Sequence, residues 1–327
     1  MIDPGKIFNI KSESEFHDFA LEIFHYQSEN VPVYKDFITH LKINLSEIND
    51  YRKIPFLPIE LFKSLEIKAI GKETEIIFES SATTGNIPSK HLVADLKVYE
   101  QSFLKGFGHF YGNVSEMCIL ALLPSYLERS GSSLIYMAEE LILKSGHPES
   151  GFYLNDQEKL ISVLRNLKNQ QQKVLLLGVS FALLELAEKY EEDLEGIIVM
   201  ETGGMKGRRN EMVREDLHSY LKKRFNLKQI HSEYGMTELL SQAYSMGEGI
   251  FYCPPWMKIL VRDSYDPFQL MENEHAGSIN VIDLANIYSC SFIATSDLGK
   301  MNSDGGFEVL GRMDYSDIRG CNLMIDR

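Results

Sequence analysis

The sequence predicts an α/β protein with largely parallel sheets flanked by helices and a smaller β-rich unit at its C-terminal end. From about Ile76, short apolar runs alternate five times with longer amphipathic stretches, a pattern typical of a largely parallel sheet. After Pro254 and Pro255 the chain changes to short β-prone runs separated by turn residues. We therefore expect a helical N-terminal segment, an α/β core and a closing β-rich unit: residues 1–75, 76–255 and 256–327.

Length and composition fit an ordinary folded protein and exclude several classes. The 327 residues are 44% hydrophobic and 24% charged, which suffices for a substantial core. The net charge of −14 offers no basic footprint, so we expect no nucleic-acid partner. The N-terminus has no signal-peptide pattern, and the longest apolar run, residues 174–184, is too short to span a bilayer. We expect a cytoplasmic protein without a membrane span.

The cysteines lie far apart in the sequence and form no CxxC motif. This spacing argues against both a zinc site and a disulfide framework, and we expect reduced thiols. The four are Cys118, Cys253, Cys290 and Cys321.

The N-terminal segment is predicted to be helical. SESEFHDFALEIFHYQ places apolar residues on one broad face, and Ser12 and Glu15 have the spacing of a capping box. Pro55 and Pro58 in IPFLPIELFKSL predict a structured connector, because proline rarely lies inside a helix.

The core consists of predicted strand and helix pairs, and the C-terminal unit of predicted strands. The pairs are IIF then LVADLKVYEQSFLKGF, CILALL then GSSLIYMAEELILK, VLLLG then FALLELAEKY, GIIVM then RRNEMVREDLHSYLKKRF, and QIH then MTELLSQAYS. The predicted C-terminal strands are MKILVRDSY, GSINVIDL, SCSFIATSDLG and GFEVLGRMDY. In parallel sheets ligands bind at the carboxyl ends of the strands, so the residues after each strand are candidates for binding.

The first such junction, residues 80–90, reads SSATTGNIPSK and is rich in hydroxyl groups. Its side chains and backbone N–H groups supply hydrogen-bond donors, and a glycine lets a ligand approach the backbone. Lys90 adds a mobile positive charge, which suits a polyphosphate. The segment lacks the GxxxxGK[ST] pattern of a Walker loop, and a solvated Ser/Thr turn explains it equally well. Its candidate binding residues are Ser80, Ser81, Thr83, Thr84 and Gly85.

The second junction is ETGGMKG, which follows the strand GIIVM. Gly203 and Gly204 permit a flat ligand to lie against the main chain. Taken alone, a tight turn before a helix is the more ordinary explanation.

The third junction is SEYGMTE, residues 232–238. Tyr234, followed by Gly235, can stack on a base, and Thr237 can donate to a phosphate. Glu238 can bind a hard cation such as Mg²⁺ through oxygen, although an acid in the first turn of a helix is an equal explanation.

A fourth pair of candidates lies in the C-terminal unit: Asp297 in ATSDLG and Arg312 in GRMD. A carboxylate can accept both hydroxyls of a ribose, and an arginine can bridge ribose and phosphate. In isolation such a pair is more often a surface ion pair.

The order of these motifs resembles the adenylate-forming superfamily of acyl-CoA synthetases, phenylacetate-CoA ligases, luciferases and peptide-synthetase adenylation domains. SSATTG is similar to its phosphate-binding loop, with Ala82 where glycine is usual. YGMTE is similar to its adenine-and-magnesium motif, and SDLG with GR to its ribose-binding pair. The resemblance covers about residues 80–320 and implies the N-terminal domain fold of those enzymes, with ATP and Mg²⁺ as cofactors. It implies catalytic roles for Lys90, Thr237 and Glu238, with Glu238 as the metal ligand.

Two features narrow the resemblance to acyl-protein synthetases of the LuxE type. The sequence ends at Arg327, so we expect no mobile C-terminal domain with its catalytic lysine, and after GRMD it reads YSDIRG without the usual isoleucine–lysine pair. That family activates a fatty acid as acyl-adenylate, moves it to a cysteine near its own C-terminus and passes it to a reductase. Cys321 in RGCNLM lies where that cysteine would be. The expected partners are a carboxylic acid and an acyl-accepting reductase or carrier protein.

Three other interpretations stay open. A phenylacetate-type ligase would use free CoA as acceptor, and a non-catalytic module would bind nucleotide or acyl-adenylate without turnover. GVSFA, residues 178–182, begins like the nucleophile elbow of a serine hydrolase, but the required second glycine is Ala182. The sequence does not identify the acyl substrate, and core packing explains the candidate pocket segment LPSYLERSGSSL as well as substrate binding does.

Overall fold

The computed structural model describes residues 2–81, 87–124, 131–203 and 212–313. The chain opens with three helices, and the second begins at the predicted capping box. Ser12 Oγ accepts from Glu15 N and Glu15 Oε2 accepts from Ser12 N, both at 3.2 Å, which satisfies amides that have no partner within the helix. The helices are α1 (Pro4–Ile7), α2 (Glu13–Asn30) and α3 (Pro32–His40).

Helix α2 packs against the rest of the protein through its predicted apolar face and through the buried side-chain amide of Gln27. Phe16, Ile23 and Phe24 are buried on this face. The Phe24 ring meets the Phe292 ring edge-on at 6.2 Å. The predicted connector contains a short strand, β1 (Leu57–Pro58), and a 3₁₀ helix.

The hydroxyl-rich segment is the loop of an antiparallel hairpin. Strand β2 (Ile76–Glu79) pairs with β3 (Lys90–Val93), and helix α4 (Leu96–Tyr111) starts only after β3. The predicted strand-to-helix junction at residues 80–90 is therefore wrong, because the start of LVADLKVYEQSFLKGF extends the hairpin. Asp95 fixes the start of α4 by accepting from Lys97 N at 3.1 Å.

The central sheet has the order β5-β4-β6-β7-β8-β9. Its first five strands are parallel, and β9 is antiparallel to β8. The strands are β4 (Met117–Leu122), β5 (Gly151–Phe152), β6 (Lys173–Val179), β7 (Ile198–Thr202), β8 (His231–Tyr234) and β9 (Ala243–Ser245). The helices between them are α5 (Ser133–Ser145), α6 (Gln157–Asn169), α7 (Ser180–Lys189) and α8 (Arg214–Phe225).

The sheet separates two apolar cores. Successive side chains of a strand point to opposite faces, so Ile119 and Ala121 of β4 belong to one core, while Leu120 and Leu122 belong to the other. This explains why CILALL reads as a continuous apolar run, as strands covered on both faces do.

The helix predicted for MTELLSQAYS is absent, and residues 235–242 lead directly into β9 without helical structure. Two side chains from later in the chain form hydrogen bonds with backbone groups that a helix would use. The Asp283 carboxylate accepts from Leu240 N at 2.8 Å and from Ser241 N at 2.9 Å. Asn286 Nδ2 donates to Glu238 O at 2.8 Å. These long-range bonds override the local helical pattern.

The second sheet is antiparallel and has the order β10-β14-β13-β12-β11, with β1 added in parallel beside β13. Its strands β11 to β14 correspond to the four predicted C-terminal strands, while β1 and β10 come from earlier in the chain. Of the helices in the described ranges, not one is long and apolar enough to cross a membrane. The strands are β10 (Ile250–Phe251), β11 (Met257–Arg262), β12 (Ala276–Asp283), β13 (Phe292–Met301) and β14 (Phe307–Arg312).

Three of the four cysteines lie in the described residues, and all three have free thiols: Cys118, Cys253 and Cys290. Cys321 lies outside the described residues.

Candidate active site

The structure joins the end of β8 to the predicted Asp297–Arg312 pair. Tyr234 Oη donates to Asp297 Oδ2 at 2.9 Å, and Arg312 Nε donates to Asp297 Oδ1 at 3.1 Å. Asp297 and Arg312 face each other in the pairing of β13 with β14. The Asp297 carboxylate is buried, whereas the Arg312 side chain is 63% exposed. A buried acid thus orients a guanidinium that solvent and ligands can reach.

The Tyr234 ring is part of an aromatic cluster. It meets Phe251 and Phe307 edge-on, with ring centroids 6.0 and 5.5 Å away. Burial, and then the charge of Asp297, hold the pKa of the Tyr234 hydroxyl well above its ordinary value, so it stays a hydrogen-bond donor. Stacking of this ring on a base stays a prediction.

The turn after β8 carries the other predicted residues of this motif. Gly235 is exposed, Thr237 is half-buried and Glu238 is buried. A Cβ at Gly235 would clash with Glu233 Oε1, so a larger residue there would require the Glu233 carboxyl group to move. We call residues 237 and 238 the Thr237–Glu238 turn.

The hydroxyl-rich loop is closed at its base by its own backbone. Ser80 N donates to Ser89 O at 3.0 Å, and Ser89 N donates to Ser80 Oγ at 2.9 Å, while Ser81 is half-buried. Lys90 Nζ lies 3.4 Å from Glu79 Oε1, and both side chains are about half exposed, 54% and 49%. Such a surface pair is weak, so Lys90 can turn towards a ligand. Three further predicted residues lie outside the described residues: Thr83, Thr84 and Gly85.

Gly203 follows β7 directly, with a φ of +68°, and Gly204 lies outside the described residues. Ser180 Oγ lies 2.7 Å from Gly203 O and 2.8 Å from Glu201 Oε2. Ser180 is the serine of GVSFA. Its hydroxyl is buried and is shared between two acceptors, one of them the backbone of Gly203. A hydroxyl bound in this way is not presented to a substrate, which disfavours the hydrolase interpretation.

Two buried carboxyl groups under this turn were missed by sequence reasoning. Glu201 Oε1 accepts from Arg214 Nε at 3.0 Å, and His218 Nε2 lies 3.5 Å away without a hydrogen bond. Burial opposes ionisation of Glu201, but His218, the charge of Arg214 and the bond from Ser180 together hold its pKa below the ordinary value.

The other carboxyl group is that of Glu233, whose Oε2 accepts from Thr202 Oγ1. Burial raises the pKa of Glu233 to about 7, with a further increase from the charge of Glu201 and an opposing effect of the Thr202 bond. Both glutamates are next to the last residue of a parallel strand, and this position is the only local signal that marks them.

The oxygen donors of the Thr237–Glu238 turn fit Mg²⁺ delivered with a nucleotide. Within the described ranges, no group of three or more His, Cys, Asp or Glu side chains is placed to hold a metal ion. Magnesium commonly uses only one or two protein carboxylates and takes its remaining ligands from phosphates and water. The Glu238 carboxylate and the Thr237 hydroxyl suit that arrangement.

Solved structures with a similar fold are adenylate-forming enzymes. An open conformation of 2-hydroxyisobutyryl-CoA ligase, in complex with 2-HIB-AMP and CoA, has a TM-score of 0.70 at 12% identity and covers 93% of this chain and 70% of that chain. An ATP-bound RpMatB–BxBclM chimera has a TM-score of 0.58 at 16% identity, with 75% and 49% covered. ATP-bound MatB from Rhodopseudomonas palustris has a TM-score of 0.55 at 15% identity, and the match again covers 75% of this chain and 49% of that chain. This chain therefore spans about half the length of the last two proteins.

No curated protein matches this sequence. The family model described as "Acyl-protein synthetase, LuxE" matches residues 4–327. Because that match covers almost the whole chain, the protein belongs to the LuxE family of acyl-protein synthetases.

Proposed function

We propose that this protein uses ATP to activate a carboxylic acid as acyl-adenylate and then transfers the acyl group to a thiol. One observation carries the proposal: Tyr234, the last residue of β8, is linked through Asp297 of β13 to Arg312 of β14, and the Thr237–Glu238 turn follows it after two residues. In this proposal, Asp297 and Arg312 bind the ribose, and the Thr237–Glu238 turn binds phosphate and metal.

Family membership and fold support this proposal. The similar solved structures include one with bound ATP and one with the adenylate 2-HIB-AMP and CoA. At 12–16% identity these structures support a shared fold, and the chemistry is argued from the residues of this chain.

In the first step, a carboxylate oxygen of the acid attacks the α-phosphorus of ATP. A new P–O bond forms, the bond from the α-phosphorus to the bridging oxygen breaks, and pyrophosphate leaves with that electron pair. Carboxylate oxygens carry further lone pairs, so Asp297 can accept ribose hydroxyls while it holds Tyr234 and Arg312. Lys90 and the hydroxyl-rich loop stabilise the charge that grows on the leaving pyrophosphate. Mg²⁺ held by Glu238 would neutralise phosphate charge when bound.

In the second step, the thiolate of Cys321 attacks the acyl carbonyl carbon. The thiol has already lost its proton to solvent; a C–S bond forms, the C–O bond to AMP breaks, and AMP leaves with the electron pair. A thiolate is a stronger nucleophile towards an acyl-adenylate than a hydroxyl. A fatty acid is the proposed substrate, a reductase or carrier protein the proposed final acceptor, and the cytoplasm the proposed location.

The activation step is tested by ATP–pyrophosphate exchange over a panel of carboxylic acids. Glu238→Gln should lower exchange by a factor of about 100 or more, because it removes a charged metal contact that stabilises developing charge. Glu195→Gln is the matched control, because Glu195 is exposed and pairs only at the surface with Lys228, at 3.7 Å. Exchange at the wild-type rate in Glu238→Gln would contradict the role of Glu238. If no acid supports exchange although the wild type binds ATP, the protein is a binding module.

The transfer step is tested by incubating the protein with labelled acid, ATP and Mg²⁺ and then denaturing it. Wild-type protein should retain label that neutral hydroxylamine releases, as a thioester does. Cys321→Ser should retain none, yet still catalyse exchange. Cys118→Ala is the control, because burial raises the pKa of that thiol to about 11 and makes it a poor nucleophile. Equal labelling of Cys321→Ser, or efficient transfer to free CoA by that variant, would favour the CoA-ligase alternative.

A further inference from the structure

We propose that His91 and Asn286 are positioning residues, which hold the two consecutive carbonyls of the Thr237–Glu238 turn and so place its side chains for nucleotide and metal. The proposal rests on the proposed function above. Neither residue belongs to a motif that sequence reasoning singled out.

His91 holds the first carbonyl. Its Nδ1 lies 2.9 Å from Thr237 O, and the side chain is 1% exposed. A carbonyl oxygen only accepts, so Nδ1 carries the proton in this contact. Burial lowers the pKa of His91 to about 4, although the bond to Thr237 opposes this. The imidazole therefore stays neutral near pH 7, with its proton on Nδ1.

Asn286 holds the second carbonyl from another direction. It lies in the 3₁₀ turn after β12, and its Nδ2 donates to Glu238 O at 2.8 Å and to Cys290 O at 3.1 Å. Adjacent peptide groups of the turn are thus fixed by one side chain from the hairpin and one from the 3₁₀ turn that follows β12.

Both side chains hold the turn although each leaves a buried acceptor unpaired. Within the described ranges, His91 Nε2 and Asn286 Oδ1 have no hydrogen-bond partner. Both residues line one small cavity of about 10 Å³. An apolar side chain at either position would leave a carbonyl of the turn without its donor, which costs about 1–3 kcal/mol for a buried group. The polar pair is explained by the geometry it imposes on the turn.

His91 also connects the two predicted phosphate-binding segments. It directly follows Lys90, at the end of the hydroxyl-rich loop, and pairs in register with Phe78 across the hairpin. Its bond to Thr237 therefore fixes the start of β3, next to Lys90, relative to the turn. Since a displacement of about 1 Å can cost on the order of 100-fold in rate, a single bond at this point matters for catalysis.

The test compares two amides at His91. In His91→Asn the amide nitrogen takes the place of Nδ1 and still donates to Thr237 O. In His91→Gln the amide lies where Nε2 was, so the donor to Thr237 O is lost, although the side chain keeps a similar size and polarity. We expect His91→Asn to stay within about 3-fold of wild type, because the bond is kept. We expect His91→Gln to lower the exchange kcat by about 10- to 100-fold and to raise the Mg²⁺ concentration for half-maximal ATP binding by about 10-fold.

The control separates positioning from general stability. Tyr34→Phe removes another buried bond to a backbone carbonyl, Tyr34 Oη to Pro55 O at 2.7 Å, far along the chain from the turn. It should lower thermal stability without changing the Mg²⁺ dependence. Where His91→Gln does not fold, Asn286→Asp replaces the donor to Glu238 O with an acceptor and should show the same Mg²⁺ effect.

Equal Mg²⁺ dependence of ATP binding in His91→Asn and His91→Gln, or an equal change in Tyr34→Phe, would overturn the proposal. Titration calorimetry with ATP and Mg²⁺ measures this without turnover. If the wild type binds ATP with Mg²⁺ but no acid supports exchange, the proposed activation fails, and the affinities of the two variants still decide the role of His91. A wild type that binds no ATP would overturn both.

Discussion

At the scale of single residues, the neighbouring groups determine whether a buried carboxyl group is charged. Glu201 and Glu233 lie at the ends of adjacent parallel strands, and both are buried. Glu201 has Arg214 as a partner, and its pKa lies below the ordinary value. Among the described residues, the donor to Glu233 is the neutral hydroxyl of Thr202, and burial raises the pKa of Glu233 to about 7. Two chemically identical side chains thus differ in charge near neutral pH.

Glu233 should therefore make stability depend on pH. Between its ordinary pKa of 4.5 and about 7, the folded protein holds a proton that the unfolded chain has lost, so stability falls as pH rises through this range. Glu233→Gln keeps an acceptor for Thr202 but does not titrate. We expect it to match wild type near pH 4.5 and to be more stable at pH 8, by at most about 3 kcal/mol. Urea denaturation from pH 5 to 8 measures this, with the exposed Glu195→Gln as control. Parallel pH profiles of wild type and Glu233→Gln would contradict it.

At the scale of elements, the sequence predicted what local patterns determine. The capping box of α2, the apolar strands β4, β6 and β7, and the four C-terminal strands are in the structure where they were expected. In each case the signal lies within a few residues, either as a cap or as a continuous or alternating apolar run. The hairpin was missed because its second strand, Lys90–Val93, overlaps a segment that was taken as the start of a helix. The segment 235–242 was predicted wrongly because its backbone is bound by distant side chains. Asp283 and Asn286 lie more than forty residues from the backbone groups that they bind in this segment.

The candidate site likewise contains residues that a local motif marks and residues that only long-range contacts reveal. The Asp297–Arg312 pair was predicted from two short motifs, and the ion pair is formed, while its role in ribose binding stays a prediction. The bond from Tyr234 to Asp297 spans 63 positions, and no local pattern marks it. His91 was missed because a lone histidine in a strand carries no recognisable motif. The residues proposed to contact a ligand follow family patterns, whereas those proposed to hold them in place are found only from the fold.

At the scale of the whole molecule, the site depends on contacts between parts that are distant in sequence. Arg214 of α8 binds Glu201 of the central sheet and reaches Val309 O of the antiparallel sheet at 3.4 Å. Its guanidinium also lies 5.1 Å from the centre of the Phe251 ring. The two sheets are thereby joined beside Gly203 by the partly exposed guanidinium of Arg214 and the buried carboxylate of Glu201, which fixes the relative position of the two halves of the site.

The N-terminal helices should contribute to the same packing through Gln27, which is fully buried on α2. Its Nε2 donates to two backbone carbonyls of the turn that contains Asn286, at 2.8 and 2.9 Å, and its Oε1 accepts from Ser291 N at 3.0 Å. Gln27→Leu leaves these buried groups unpaired and should lower the free energy of unfolding by about 2–4 kcal/mol. Urea denaturation followed by the fluorescence of Trp256, the single tryptophan, measures the loss. Gln170→Leu, at an exposed helix end, should change stability by less than about 0.5 kcal/mol. Equal denaturation midpoints for the two variants would mean that α2 does not stabilise the turn behind Glu238.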